Sequence, residues 1–170
     1  PILFSQLRKR KIHKAQGIPL VIKSDNNILP TYWGLLESVL KERHDVSPVH
    51  SLSEITYLAT NFPDNIKLYT IHSEHNELLA GVLLYMTDRV AHAQYIAASK
   101  EGRELGALDL LFSDIISEMR LSHKYFDFGI STEKSGQFLN EGLVFQKEGF
   151  GGHGVCYDVY NVNLQSLAQI

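Results

Sequence analysis

The spacing of apolar residues predicts a strand and two helices in the first third of the chain. A short β-rich run, IPLVIKS at 18–24, predicts the first strand. In LPTYWGLLESVLKERH, residues 29–44, apolar side chains recur every three or four positions and would form one buried stripe. In SLSEITYLATNF, residues 51–62, Ser51 and Glu54 have the spacing of a capping box, so a second helix is expected to follow directly.

The hydrophobic period then changes to two, which predicts three consecutive strands. These are IKLYTIH at 66–72, LLAGVLLYM at 78–86 and RVAHAQYIAA at 89–98, separated by short polar segments. Strands joined by such short turns form an antiparallel meander.

The second half of the chain alternates between helical and strand patterns. SKEGRELGALDLLFSDIISEM, 99–119, predicts a glycine loop followed by a helix with Leu108, Leu111, Phe112, Ile115 and Met119 on one face. YFDFGI, 125–130, predicts a compact strand covered on both faces. SGQFLNEGLVFQKEGF, 135–150, predicts another helix, and VCYDVYNVNL, 155–164, a closing strand. The expected order is β-α-α-β-β-β-α-β-α-β in a single domain over 1–170, with 1–17 as a linker or an N-terminal helix.

Composition narrows the class of protein. The 170 residues carry a net charge of −3, which does not suggest a DNA-binding protein. A lone Cys156 cannot form an internal disulfide, and no apolar run reaches the roughly 18 residues of a membrane span. We therefore expect a cytoplasmic protein without a membrane partner. The basic run LRKRKIHK, 7–14, is a solvated helix face, a linker or a contact for an anionic partner.

The element order and three segments resemble the GNAT acyltransferase superfamily, and within it FemAB-like and BioF2-like acyltransferase domains. The segments are HAQYIAASKEGRELGALDLLF, YFDFGISTE and LNEGLVFQKEGFGG. The resemblance implies a GNAT-like α/β (α+β) fold, with a mixed, mostly antiparallel central sheet flanked by helices. It also implies transfer of an acyl group from acetyl-CoA, or another acyl-CoA, to an amine on a small molecule or peptide, without a metal. A homodimer is compatible with it.

The resemblance further implies that the donor lies against the fourth strand, with its diphosphate on the N-terminus of the next helix. Free N–H groups and the helix dipole favour an anion there. RELGAL supplies Arg103 and Gly106 of the family loop, but Leu108 stands where a second small residue is usual. Alternatively, the glycines serve only a tight turn. The candidate donor-binding residues are Ile96, Ala97, Ala98, Gly102, Arg103, Gly106, Ala107 and Asn140.

Acyl transfer to an amine also needs a group that takes a proton. Alternation in the fourth strand places His92, Gln94 and Ile96 on one face, and Ala91, Ala93, Tyr95 and Ala97 on the other. Histidine accepts protons near neutrality, so His92 is a candidate general base and Gln94 a candidate acceptor ligand. Surface exposure near the strand's end is the alternative for His92.

Asp127 is the second catalytic candidate, because a carboxylate in a covered strand needs partners. It could equally accept only structural hydrogen bonds. Ser131 and Glu133 follow that strand's carboxyl end, where ligands commonly bind, and are substrate-binding candidates unless they cap the next helix. His50, between the first two helices, is a further substrate-binding candidate or a structural histidine.

Phe145 and the loop residue Leu108 leave other functions open. Phe145 stands where GNAT enzymes often carry a proton-donating tyrosine, so Tyr157 or a water would have to act instead. The alternatives are a FemAB-like transferase that uses aminoacyl-tRNA on peptidoglycan precursors, and a non-catalytic GNAT-like binding module. His72 and His75 flank a turn without further ligands, so no metal site is expected.

Overall fold

A computed structural model describes residues 4–160, in which a five-stranded sheet has helices on both faces. The strands lie in chain order: β1 (Val21–Ser24), β2 (Ile66–His72), β3 (Leu78–Met86), β4 (Val90–Ala98) and β5 (Tyr125–Asp127). The first four pair antiparallel, and β4 and β5 pair parallel. The predicted mixed, mostly antiparallel sheet of the GNAT fold is confirmed.

The helices are α1 (Gln6–Gln16), α2 (Leu29–His44), α3 (Leu52–Asn61), α4 (Lys100–Leu105), α5 (Ala107–Met119) and α6 (Glu141–Glu148). A short 3₁₀ helix (Asn26–Ile28) precedes α2, and a hairpin of β6 (Thr132–Glu133) and β7 (Phe138–Leu139) precedes α6. The capping box of α3 is present: the Ser51 backbone N–H donates to Glu54 Oε2 at 2.7 Å, and the Glu54 N–H donates to Ser51 Oγ at 3.3 Å.

Each face of the sheet has its own apolar core. On one face α5 packs Leu111, Phe112 and Ile115 against β2, β3 and β4. On the other face α2 buries Tyr32 and Trp33 completely, together with residues of α3. The apolar stripes expected from the sequence therefore supply both cores.

Three predicted elements differ in the structure. The glycine segment expected as a loop before the helix is itself a short helix, α4, and the left-handed backbone of Gly106 (φ 75°) ends α4 and begins α5. The helix expected from residue 135 begins at Glu141, because Ser135 and Gly136 both have positive φ and form the β6–β7 turn. Of the predicted last strand, 155–160 has no regular structure, and 161–164 lies outside the described residues.

The predicted burial of β5 on both faces is also wrong. β5 has only three residues and lies at the edge of the sheet, so Tyr125 and Asp127 are exposed. Only Phe126 and the following Phe128 reach the core on the α5 side. The aromatic pattern of YFDFGI predicted a strand correctly, but it did not show that one side of the strand faces solvent.

Candidate active site

The candidate site lies where β4 and β5 separate. The two strands pair through Val90–Tyr125, Ala91–Phe126 and His92–Asp127, and the ladder ends there. From Ala93 to Ala98, β4 continues beside β3 alone. The sheet therefore has an open edge immediately after His92.

At the end of this ladder, the two predicted catalytic side chains meet. Nδ1 of His92 lies 2.7 Å from Oδ2 of Asp127, and the other carboxylate oxygen accepts the Gly129 N–H at 2.8 Å. An ionised carboxylate only accepts hydrogen bonds, so Nδ1 carries the hydrogen and the lone pair of the neutral ring is on Nε2. The carboxylate thus fixes a histidine tautomer that can take a proton.

The turn after β5 is fixed by Gly129 and by a lysine of α6. Gly129 has φ 74°, and a Cβ there would lie 3.4 Å from Cε1 of His92, so the ring packs closely on this glycine. Nζ of Lys147 donates to the carbonyl oxygens of Gly129, at 2.9 Å, and Ile130. Burial lowers the pKa of Lys147, and the nearby Asp127 carboxylate partly opposes this shift. Lys147 thereby holds the segment that orients the His92–Asp127 pair.

A register shift in β4 changes which residues share a face. Leu83 pairs with Tyr95 but Leu84 pairs with Ala93, so Gln94 is an extra residue without a partner on β3. The sequence prediction that His92, Gln94 and Ile96 share one face is therefore wrong beyond the bulge. Ile96 packs on the α5 core, whereas Tyr95 and Ala97 belong to the α2 core.

A histidine and two tyrosines lie on the same side of the sheet as His92, towards α3. Tyr85 is the cross-strand partner of His92, and its ring centroid lies 6.5 Å from that of His50. The Tyr95 hydroxyl lies 2.6 Å from Nδ1 of His50 and accepts its backbone N–H at 3.3 Å. Burial raises the pKa of Tyr85, and Tyr95 raises it further, so its hydroxyl stays protonated. His50 also lines a shallow groove with Tyr57 and Leu58 of α3.

The sequence did not reveal Tyr85, Tyr95 and Lys147 as residues of this site. Tyr85 could have been found by pairing the predicted third and fourth strands around the Thr87–Asp88 turn, which places it opposite His92. Tyr95 could not have been found in this way, because the bulge at Gln94 turns its side chain to the face of the sheet where His50 lies. Lys147 acts on backbone carbonyls, which a residue pattern does not reveal.

The predicted donor loop is covered by other parts of the chain. Gly102 and Gly106 are buried, and Ala107 has no exposed surface. The Gly102 N–H donates to Ser99 Oγ at 3.0 Å, and the Arg103 guanidinium donates to the Ala98 carbonyl at 2.8 Å. Of the predicted donor-binding residues in β4, Ile96 is half-buried, and Ala97 and Ala98 are buried.

Asn140, Glu133 and Ser131 form a separate polar group beside α6. Asn140 caps this helix by accepting the Leu143 N–H at 3.0 Å, and its amide donates to Glu133 Oε1 at 2.6 Å. The Asn140 N–H donates to the Ser131 carbonyl at 2.9 Å. The side-chain amide predicted to contact a donor is thus used in the structure to begin a helix.

Among the described residues, 4–160, neither a membrane-spanning helix nor a cluster of metal ligands is present. No helix in this range is both long and apolar enough to cross a membrane. No group of three or more His, Cys, Asp or Glu side chains in it is arranged to hold a metal ion.

Known structures of similar fold include acetyltransferases and FemX. A "possible acetyltransferase" from Clostridium difficile 630 is 14% identical with a TM-score of 0.62, covering 85% of this chain and 97% of that one. FemX is 14% identical with a TM-score of 0.67; the match covers 87% of this chain but only 54% of FemX. An aminoglycoside acetyltransferase from an uncultured soil metagenomic sample, crystallised with sisomicin, is 15% identical with a TM-score of 0.54, covering 85% and 97%.

The family of this chain can be identified from its sequence, although no curated protein sequence matches it. The family described as acetyltransferase (GNAT) domain matches residues 6–135, which include all five strands of the main sheet and the His92–Asp127 pair. The chain therefore belongs to the GNAT acetyltransferase domain family.

Proposed function

We propose that this chain is an N-acyltransferase in which His92, oriented by Asp127, is the general base. The supporting observation is the 2.7 Å contact between His92 Nδ1 and Asp127 Oδ2 at the point where β4 and β5 separate. A positioned base of this kind typically contributes 10²–10⁴-fold to a rate (about 3–5 kcal/mol).

His92 and Asp127 would together carry out the proton transfers of the reaction. An incoming amine gives a proton to Nε2 of His92 as its nitrogen attacks the acyl carbon, and Asp127 stabilises the resulting imidazolium. When the bond to the leaving group breaks, the imidazolium is placed to return that proton to the leaving atom. This route does not need the tyrosine that GNAT enzymes often carry where Phe145 stands, because the imidazolium supplies the proton.

Backbone groups of β4 are suited to polarise the acyl carbonyl. The bulge leaves Gln94 outside the ladder with β3, and the ladder with β5 has already ended at His92. A backbone N–H aimed at a carbonyl oxygen stabilises the oxyanion that forms during acyl transfer. Among the backbone groups next to the base, we assign this role to the N–H groups of β4 around Gln94.

The acceptor is proposed to approach over the α2–α3 side of the sheet. Cross-strand partners project to the same face, so His92 and Tyr85 both face this side, and His50 continues the surface into the groove beside α3. Ser131 and Glu133 contact Asn140 at the start of α6 instead. Contact of the acceptor with His50 follows from this direction of approach.

A second candidate function is aminoacyl transfer from aminoacyl-tRNA. The covered donor loop favours a donor without coenzyme A, and the FemX structure, with a TM-score of 0.67, shares the fold. The proton chemistry at His92 would be the same, so only the donor distinguishes the two functions.

The test is acyl transfer to a panel of amines, from acetyl-CoA and separately from aminoacyl-tRNA. His92→Gln should lower kcat/KM by about 10²-fold or more, since glutamine cannot take a proton. His75→Gln is the matched control, because His75 is exposed in the β2–β3 turn, and it should keep wild-type activity. Transfer by wild type that survives His92→Gln would refute the assigned base, and binding of amines without transfer from either donor would identify a binding module.

A further inference from the structure

The N-terminal helix α1 lies across the start of α5, where the family likeness implies a diphosphate site. Ile12 and Ala15 of α1 are buried, and a Cβ at Gly106 would lie only 3.1 Å from the Lys11 carbonyl oxygen. Nζ of Lys14 donates to the Glu104 carbonyl at 2.9 Å. The close approach that glycine allows at position 106 is therefore used by the backbone of α1.

The first turn of α5 also contains its own anion. Asp109 is the third residue of α5, its side chain is 10% exposed, and it forms an ion pair with Arg8 of α1. A carboxylate in this position offsets the positive end of the helix dipole. The Arg8 guanidinium is itself fixed, because its Cζ lies 5.1 Å from the Phe150 ring centroid. A second anion at the same helix end would meet the carboxylate of Asp109.

The glycine of the preceding helix α4 is also used for packing. A Cβ at Gly102 would lie 2.2 Å from the Leu79 carbonyl oxygen, so this glycine is required for α4 to pack on β3. The exposed side chains of the helix are Lys100, Glu101 and Glu104. Both loop glycines thus have packing roles, and the exposed charges beside them are of both signs.

We infer that the donor is not held through a diphosphate at the start of α5, in contrast to what the family likeness implies. Recognition of the donor then depends on its acyl-bearing end, along the open edge of β4 beyond His92. The second statement rests on the proposed function, whereas the first depends only on the packing of α1, α4 and α5.

The experiment is a titration of the full ¹⁵N-labelled chain with coenzyme A to millimolar concentration, followed through backbone amide signals. The amides of Gly106, Ala107 and Leu108 should shift by less than their line width. Amides of β4 around Gln94 serve as the comparison, since they should shift if coenzyme A binds along the open edge. Saturable shifts at positions 106–108 would overturn the inference.

The result of this titration can be distinguished from the result of the test of the proposed function. If acetyl-CoA supports transfer and the amides at 106–108 shift, the function holds and this inference fails. If coenzyme A moves no amide and no donor supports transfer, the inference holds and the proposed function fails. A chain that transfers acetyl groups while 106–108 stay unchanged satisfies both.

Discussion

Asp127 and Asp109 lie in two regions that the sequence marked as functional, yet their surroundings are opposite. Asp127 is 52% exposed, ends the short ladder between β4 and β5, and accepts hydrogen bonds from His92 and Gly129. Asp109 is 10% exposed, lies under α1 and pairs with Arg8. The first carboxylate is accessible to a substrate and orients a base, whereas the second is part of the packing between two helices.

The comparison shows that position in the family fold does not decide what a segment does. Both regions follow β4 in the pattern expected for a GNAT domain. The β4–β5 edge stays open because β5 is only three residues long. The α5 end is closed because α1 places Arg8 over it. We therefore expect substitutions in the first region to change activity and those in the second to change stability.

The largest expected effect is on catalysis by Asp127→Asn. An asparagine can present its amide N–H to Nδ1, which would favour the wrong histidine tautomer, so kcat/KM should fall by about 10²–10⁴-fold. Steady-state kinetics and the free energy of unfolding should be measured together, because the exposed carboxylate contributes little to stability. Asp88→Asn, in the exposed β3–β4 turn, is the control and should change neither quantity.

Asp109→Asn is expected to have the opposite profile. It leaves the buried Arg8 guanidinium without its charged partner, which typically costs about 3–5 kcal/mol of unfolding free energy. Urea denaturation measures this loss. Lys11→Met is the control: Nζ of Lys11 lies 4.0 Å from Asp109 and is 44% exposed, so about 1 kcal/mol or less is expected. Equal losses in both variants would contradict a structural role for the Arg8–Asp109 pair.

Gly102→Ala tests whether the loop glycine is used for packing. The added Cβ would meet the Leu79 carbonyl at 2.2 Å, a backbone atom that cannot rotate away, so a loss of about 1–3 kcal/mol is expected. Gly34→Ala, in α2, is the matched control, because beyond its own stretch of helix no atom lies within 4 Å of the added Cβ, and alanine favours a helix by about 1 kcal/mol. A Gly102→Ala protein as stable as wild type would show that α4 does not need this contact.

The smallest expected effect is on the pH dependence of stability, and it arises from His72, which belongs to neither region. Burial lowers the pKa of His72, whose Nε2 lies 3.0 Å from Thr70 Oγ1. The unfolded chain takes up this proton at about pH 6.5, whereas the folded chain resists it. The contribution of His72 is therefore complete above about pH 6.5 and falls as the pH is lowered below it.

The difference between His72 and His75 makes this effect measurable. Thermal unfolding of His72→Asn should lose less stability between about pH 7 and about pH 5 than wild type. His75→Asn should follow wild type, because His75 is exposed. Parallel curves for all three proteins would show that His72 does not resist protonation.

The sequence predicted the strands of the main sheet and named His92 and Asp127 as catalytic candidates, since both depend on short-range patterns. Helix α2 and strands β2 and β3 have the predicted limits. The sequence did not predict that β4 and β5 pair in parallel and so bring His92 and Asp127 together. It did not predict the bulge at Gln94, which depends on how β3 and β4 pair over their whole length. It also did not predict that α1 closes the donor loop, because Arg8 and Asp109 are separated by 101 positions.

A double-mutant cycle on His92 and Asp127 tests the proposed active site most directly. The kcat/KM of acyl transfer would be measured for wild type, His92→Gln, Asp127→Asn and the double variant. If Asp127 acts through His92, the double variant should be no slower than His92→Gln alone. Losses that multiply, or a wild-type rate in either single variant, would contradict a base formed by this pair.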